Sequence, residues 1–282
     1  MKKLLMCSAL LMVAALSFAA EESADAIMSG ARSKAVIESV GTRAKMEIQR
    51  NGSTLAELLV DQYSLRKENN QRTFLEIKAP ANVKGTRFLM IAQNGTVDQR
   101  IYLPSLGKVR RITGKTEGSE SFLGTDFSYN DLSYMERESG LDTYRLLREE
   151  AYGGEQCYVI EAKPKNAASE YAKTVVWVEK EAKQFVKIEF YDKKDVLVKI
   201  LEMSNYEMTQ GIATPMNTKM TTLATNTATI IHIVKMQYNM TIPEKIFTPH
   251  GKKLIFTNAQ EAASFPWNLQ KSFISRLILL CP

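Results

Sequence analysis

From Thr42 onward the chain alternates apolar and polar positions with a period of two. Ala44, Met46 and Ile48 are separated by Lys45, Glu47 and Gln49. Successive side chains leave opposite sides of a pleated strand, so this pattern predicts a strand with one buried face. Asn51-Gly52 follows, and it suits the two positive-φ positions of a tight hairpin. Residues 55–65 are the expected return strand and 72–78 the next. Pro80 ends it, because proline has no N–H for a ladder. Residues 87–92 are apolar on both faces, with Phe88 and Met90 one way and Leu89 and Ile91 the other. Such a strand lies between two layers. Asn94-Gly95 predicts a second hairpin and 100–103 its return strand. Pro104 and Gly107 punctuate the next turn.

The second half continues the pattern. Residues 143–152 read as a strand or a short helix, and Gly153-Gly154 turns them. Residues 157–163 form a strand ended by Pro164. A three-strand meander follows over 173–180, 184–192 and 196–206. Residues 214–223 and 228–238 make the last hairpin, with Asn226 in its turn. At least nine strand-like segments joined by hairpin turns argue for an antiparallel sheet. One stretch breaks the period. Residues 24–38 place Ala24, Ile27, Met28, Ala31, Ala35 and Val36 at helical spacing, with Ser23 as N-cap. This helix either packs on the sheet or lies over the mouth of a cavity.

Lys108, Arg110, Arg111 and Lys115 cluster around Val109 and Ile112. They form either a solvated strand end or a polar rim for a phosphate or glycerol headgroup, since arginine offers a planar fork to phosphate oxygens. A Gly/Ser/Thr-rich loop then leads into SFLGTDFSYNDL, residues 121–132, with three aromatics and two acids. Asp126 and Asp131 are expected to pair with the nearby arginines. Read instead as a catalytic dyad they would suit glycosidase chemistry, but nothing else supports sugar binding.

Residues 1–19 carry the marks of a secretory signal: Lys2 and Lys3, an apolar run from Leu4 to Leu16, and small residues ahead of a cleavage after Ala19. Its removal lowers the formal charge from +6 to +4, as two lysines and no acid are lost. That mild, dispersed charge implies no nucleic-acid partner. No later run reaches the ~18 apolar residues of a spanning helix, so the mature chain is expected to be soluble beyond the inner membrane. Cys157 and Cys281 remain, and they are expected as free thiols rather than a bridge. The chain has no G-x-S-x-G, H-E-x-x-H, C-x-x-C or P-loop pattern and only two histidines. No catalytic residue, metal or cofactor is implied.

GTRFLMI, IYLPSLGKVRRI and SFLGTDFSYNDL, with IPEKIF at 242–247, resemble the signature of the outer membrane lipoprotein-sorting proteins. These are bacterial envelope proteins similar to the lipoprotein carrier LolA and its receptor LolB. The resemblance covers residues ~35–256. It implies a mainly β, open, curved antiparallel half-barrel of about eleven strands with helices over the concave face. A lipid-binding domain over 20–256 and an extension of unknown role at 257–282 follow.

The implied function is a non-enzymatic periplasmic carrier that holds acyl chains in an apolar cavity and sorts lipoproteins to the outer membrane. The implied partners are acylated lipoproteins or phospholipid, an inner-membrane release machinery and an outer-membrane receptor. Seven of the methionines fall on strand-like segments, and flexible thioethers adapt to irregular acyl chains. The expected lining is Met46, Ile48, Leu75, Leu89, Ile91, Tyr102, Trp177 and Ile188, with Arg110 and Arg111 at the headgroup rim. The alternatives are an envelope-stress sensor or regulatory module of RseB type and a free-phospholipid binding protein.

Overall fold

The computed structural model describes residues 22–32, 37–68, 70–94, 96–135, 140–167 and 169–247. The leader at 1–19, residues 33–36 of the expected helix, His250, Cys281 and the stretch 257–282 lie outside the described residues.

The first half builds β1 (Ser39–Arg50), β2 (Ser53–Lys67), β3 (Asn70–Ala79), β4 (Arg87–Gln93), β5 (Thr96–Leu103) and β6 (Lys108–Ile112). The second builds β7 (Asp142–Tyr152), β8 (Glu155–Pro164), β9 (Lys173–Glu179), β10 (Phe185–Tyr191), β11 (Leu197–Thr209), β12 (Ile212–Thr222) and β13 (Thr227–Tyr238). All thirteen belong to one sheet in the order β6-β5-β4-β3-β2-β1-β13-β12-β11-β10-β9-β8-β7, two strands more than the resemblance implied. Each neighbouring pair is antiparallel.

The topology is two meanders joined along β1 and β13, in register from Val40 opposite Tyr238 to Arg50 opposite Thr227. β6 and β7 are the two edges and do not pair, so the sheet is not closed into a barrel. They are consecutive in the chain but lie at opposite sides of the sheet. Strand alternation also makes β6 end at the rim opposite the one where β7 begins. The connection therefore has to cross the sheet, and it does so over one face. It carries α2 (Gly114–Gly118) and α3 (Tyr129–Met135).

That face, here the concave one, holds the main core. Met46, Val60, Ile77, Phe88, Met90 and Ile101 come from the first meander; Val176, Val178, Ile188, Phe190, Leu201 and Met220 come from the second. α1 (Ala24–Arg32) adds Ile27 and Met28, both fully buried, against β7 and β9. Ser23 caps it by accepting the Ala26 N–H at 3.2 Å.

The opposite face is covered in two places. Tyr63, Leu65, Phe74 and Leu89 lie beneath Met240, Ile242, Ile246 and Phe247, which follow β13. Gly41 permits this approach, since a Cβ there would overlap the Met240 sulfur. Cys157, Val159, Val175 and Trp177 form a second cluster. Lys187 lies over the Trp177 ring at 4.2 Å, so its aliphatic stem shields apolar surface while its charge reaches water. β4 is thus apolar on both faces because each is covered: the 113–135 connection lies on one side and residues 240–247 on the other.

Candidate functional site

Residues 121–135 form a roof over the concave face, fixed at several points. Ser128 and Asp131 cap α3 reciprocally. The Ser128 hydroxyl accepts the Asp131 N–H at 3.1 Å, and the Asp131 carboxylate accepts the Ser128 N–H at 2.7 Å. The same carboxylate accepts Lys199 Nζ and the Tyr171 hydroxyl, both at 2.6 Å. Burial and the facing Asp131 charge push the Tyr171 pKa upward, so it remains a donor. Asp126 accepts the Thr227 hydroxyl at 2.5 Å and the Thr229 hydroxyl at 2.8 Å, and its N–H donates to Thr229 Oγ1 at 2.8 Å. Gln99 of β5 donates to the Tyr129 carbonyl at 2.8 Å and to the Ser133 hydroxyl at 2.6 Å.

The arginine partners expected for the two acids are therefore corrected. Asp126 binds threonines of β13, and Asp131 binds Lys199 of β11. Both carboxylates are filled with donors from their own fold. Such an arrangement fixes a segment rather than transferring a proton.

The roof contributes Phe122 and Phe127, both buried. Phe88, Phe122 and Tyr129 pack as a trio with centroids 5.5–5.8 Å apart, a separation at which aromatic pairs gain beyond area burial. Between roof and sheet lies a cavity of about 240 Å³. Its walls are Ala44 and Met46 of β1, Val60 of β2, Leu75 of β3, and Phe88 and Met90 of β4. Ile231, Ile233 and Met236 of β13 continue them, and Phe122, Phe127 and Leu132 close the top. Four neutral polar side chains complete the lining: Thr42, Gln62, Thr73 and Thr218. Met46, Val60, Leu75 and the phenylalanines are buried. Thr42, Gln62, Thr218, Ile231, Ile233 and Met236 are only half-buried and mark the open side.

Of the residues expected to line a cavity, Met46 and Leu75 do so. Ile48 and Ile188 share the concave face but sit in its packed core outside the cavity. Leu89 and Ile91 belong to the opposite-face cluster under residues 240–247, and Trp177 to the second cluster on that face. Tyr102 is also on that face, packed near Arg87, Arg100 and Val109. Arg110 and Arg111 lie on edge strand β6, outside the lining. Arg110 pairs with Glu120 at 2.9 Å and Arg111 with Asp98 at 2.5 Å. Thr42, Ala44 and Val60 were legible, since they continue the alternation of Met46 and its partner strand. Phe122, Phe127 and Leu132 carried no periodic signal, because the roof is an irregular connection. Among the described residues no group of His, Cys, Asp and Glu could hold a metal, and no helix is long and apolar enough to cross a membrane.

A single open antiparallel sheet with few helices is the fold shared with LolA-like proteins. A family model described as an uncharacterized protein matches residues 69–251, more than half of the chain. An outer membrane lipoprotein-sorting protein domain from Vibrio parahaemolyticus is 27% identical, over 80% of this chain and 96% of its own, with a TM-score of 0.74. A DUF1329 family protein from Desulfovibrio piger is 26% identical, over 79% and 94% of the two chains, also at 0.74. A LolA superfamily protein from Nitrosomonas europaea shares the fold at 23% identity, over 80% and 97%, with a TM-score of 0.62. No curated protein matches. The chain belongs to the LolA-like family.

Proposed function

We propose that this protein is a periplasmic carrier that shields lipid acyl chains in the roofed cavity and sorts acylated lipoproteins towards the outer membrane. The observation that carries the reading is the cavity itself, whose lining holds twelve apolar side chains and no ionisable one. Each methylene removed from water is worth about 0.8 kcal/mol. A chain segment of about ten methylenes thus gains roughly 8 kcal/mol on leaving water, and no covalent chemistry is required.

The cavity of about 240 Å³ lies below the ~300–1,000 Å³ usual for sites that enclose a whole ligand. The closed form therefore accommodates part of one acyl chain. Two chains require the roof to move, and Phe122 and Phe127 to leave the space they fill. The proposal includes cleavage after Ala19 and a lipid-binding domain over 20–256.

The test is extraction. Vesicles carrying a fluorescent diacylated lipopeptide are incubated with the protein and removed by sedimentation. A carrier leaves stoichiometric lipopeptide in the supernatant. Lipopeptide that stays wholly with the vesicles overturns the proposal.

A further inference from the structure

The lining on the open side of the cavity is polar, and none of its described residues is ionisable. Thr42 of β1 and Gln62 of β2 are direct cross-strand partners, and Thr218 lies on the β12 wall. Arg66 of β2 shares the face of Gln62 but is turned onto the Gln71 side-chain oxygen at 2.6 and 3.1 Å, outside the cavity lining. Most ionisable residues of these strands alternate to the other face. There Arg43 grips Asp61 through two bonds of 2.6 and 2.7 Å, and His232 lies 2.9 Å from Asn217. The charged groups of the roof are consumed internally, Asp126 by two threonines and Asp131 by Lys199 and Tyr171. A ligand head within this lining thus meets an amide and hydroxyls, and none of the described lining residues is ionisable.

Those groups also have capacity to spare. Ser64 and Thr73 satisfy one another at 3.0 Å. Gln62 makes one long contact, 3.4 Å, to Ser64, beyond the usual range for an amide donor. Thr42 and Thr218 make no side-chain hydrogen bond to any described residue. A primary amide presents two donors and an acceptor. It can therefore serve an ester carbonyl and a hydroxyl at once. An ionised carboxylate entering the same place would lose hydration and gain no opposite charge.

We infer, on the basis of the carrier reading above, that this site selects lipids with an uncharged, oxygen-bearing head, such as the ester and hydroxyl groups of an acylglycerol. Gln62, supported by Thr42 and Thr218, sets the preference over free fatty acids. Gln62 stands between Thr42 and Leu75 in the cross-strand row, where the head of a chain inserted past Leu75 and Met46 would come to rest.

The test displaces a neutral apolar fluorophore, N-phenyl-1-naphthylamine, from the delipidated full chain. The competitors are a monoacylglycerol and the free fatty acid of equal chain length, at about pH 9, well above the ordinary carboxylate pKa of ~4.3. The expected result is displacement by the monoacylglycerol at a concentration at least about tenfold lower, the worth of one good hydrogen bond. Gln62→Leu is expected to shrink the preference below about threefold, with each competitor measured against the variant's own fluorophore affinity, and Gln62→Lys to reverse it. Equal competition by the two lipids, or a preference that survives Gln62→Leu, overturns the inference and leaves the carrier reading standing. A wild-type chain that does not take up the fluorophore overturns the carrier reading, and this inference with it.

Discussion

Asp131 and Lys199 meet at 2.6 Å beneath the crossing segment, with the Asp131 side chain 1% and the Lys199 side chain 15% exposed. They connect the start of α3 to β11 and so tie the roof to the second meander. Removing one partner of a buried pair leaves the other charge uncompensated. Asp131→Ala is expected to cost about 3–5 kcal/mol in urea unfolding. It also takes the cap from α3 and the acceptor from Tyr171. Asp131→Asn with Lys199→Met removes both charges and keeps the volumes, and should recover more than half of that loss. A double variant no more stable than Asp131→Ala would show that the ion pair is not what holds the roof.

Thr229 is fully buried and gives its hydroxyl to Asp126 while accepting the Asp126 N–H. Thr229→Val preserves shape and removes both bonds. The expected loss is about 1–3 kcal/mol, since a buried carboxylate and an N–H lose a partner. The roof should also open more readily. Stopped-flow uptake of an apolar fluorophore is expected to accelerate at least about threefold, while equilibrium affinity changes less. An unchanged rate would mean that ligands enter without displacing residues 121–135.

Ala44 lines the cavity and is buried, one cross-strand step from Val60. Phenylalanine at this position fills free space instead of opening it. Ala44→Phe is expected to lower lipid affinity at least about tenfold, with overpacking limited to about 1–3 kcal/mol. Circular dichroism confirms the fold. Full binding by a folded Ala44→Phe variant would place the ligand elsewhere.

Cys157 is fully buried in the cluster around Trp177. Burial pushes its thiol pKa upward, and the Glu179 carboxylate adds to the shift. A thiol that stays protonated and covered reacts slowly. A Cys281→Ser chain without residues 1–19, and so without Cys7, is expected to show no titratable thiol in native buffer and one after denaturation in guanidinium. Rapid native labelling would mean that this cluster opens.

Much of the sheet was legible in the sequence. Ala44, Met46 and Ile48 alternate with charged neighbours because one face of β1 is buried and the other is not. Asn51-Gly52 marks the turn after it, where both residues have positive φ. Residues 143–152 read equally as strand or helix because β7 is an edge strand, half exposed, with a register shift between Leu146 and Arg148 that breaks its alternation. Faces were ambiguous where both are covered. Leu89 and Ile91 are as apolar as Phe88 and Met90, and only the cover formed by Met240, Ile242, Ile246 and Phe247 tells the faces apart. Trp177 misled for a related reason, since the largest apolar side chain of β9 is shielded by Arg148 and Lys187 rather than by the core. The partners of Asp126 and Asp131 were out of reach. They lie 101, 103 and 68 residues away in the chain at Thr227, Thr229 and Lys199, and only the crossing of the roof brings them together.

The most direct test of the carrier account is native mass spectrometry of the full chain, expressed in a bacterium and purified without detergent, followed by lipid extraction. The account predicts a protein mass increased by one acylated molecule per chain, lost on extraction, and absent from Ala44→Phe. A bare protein mass that takes up no added lipid would contradict it.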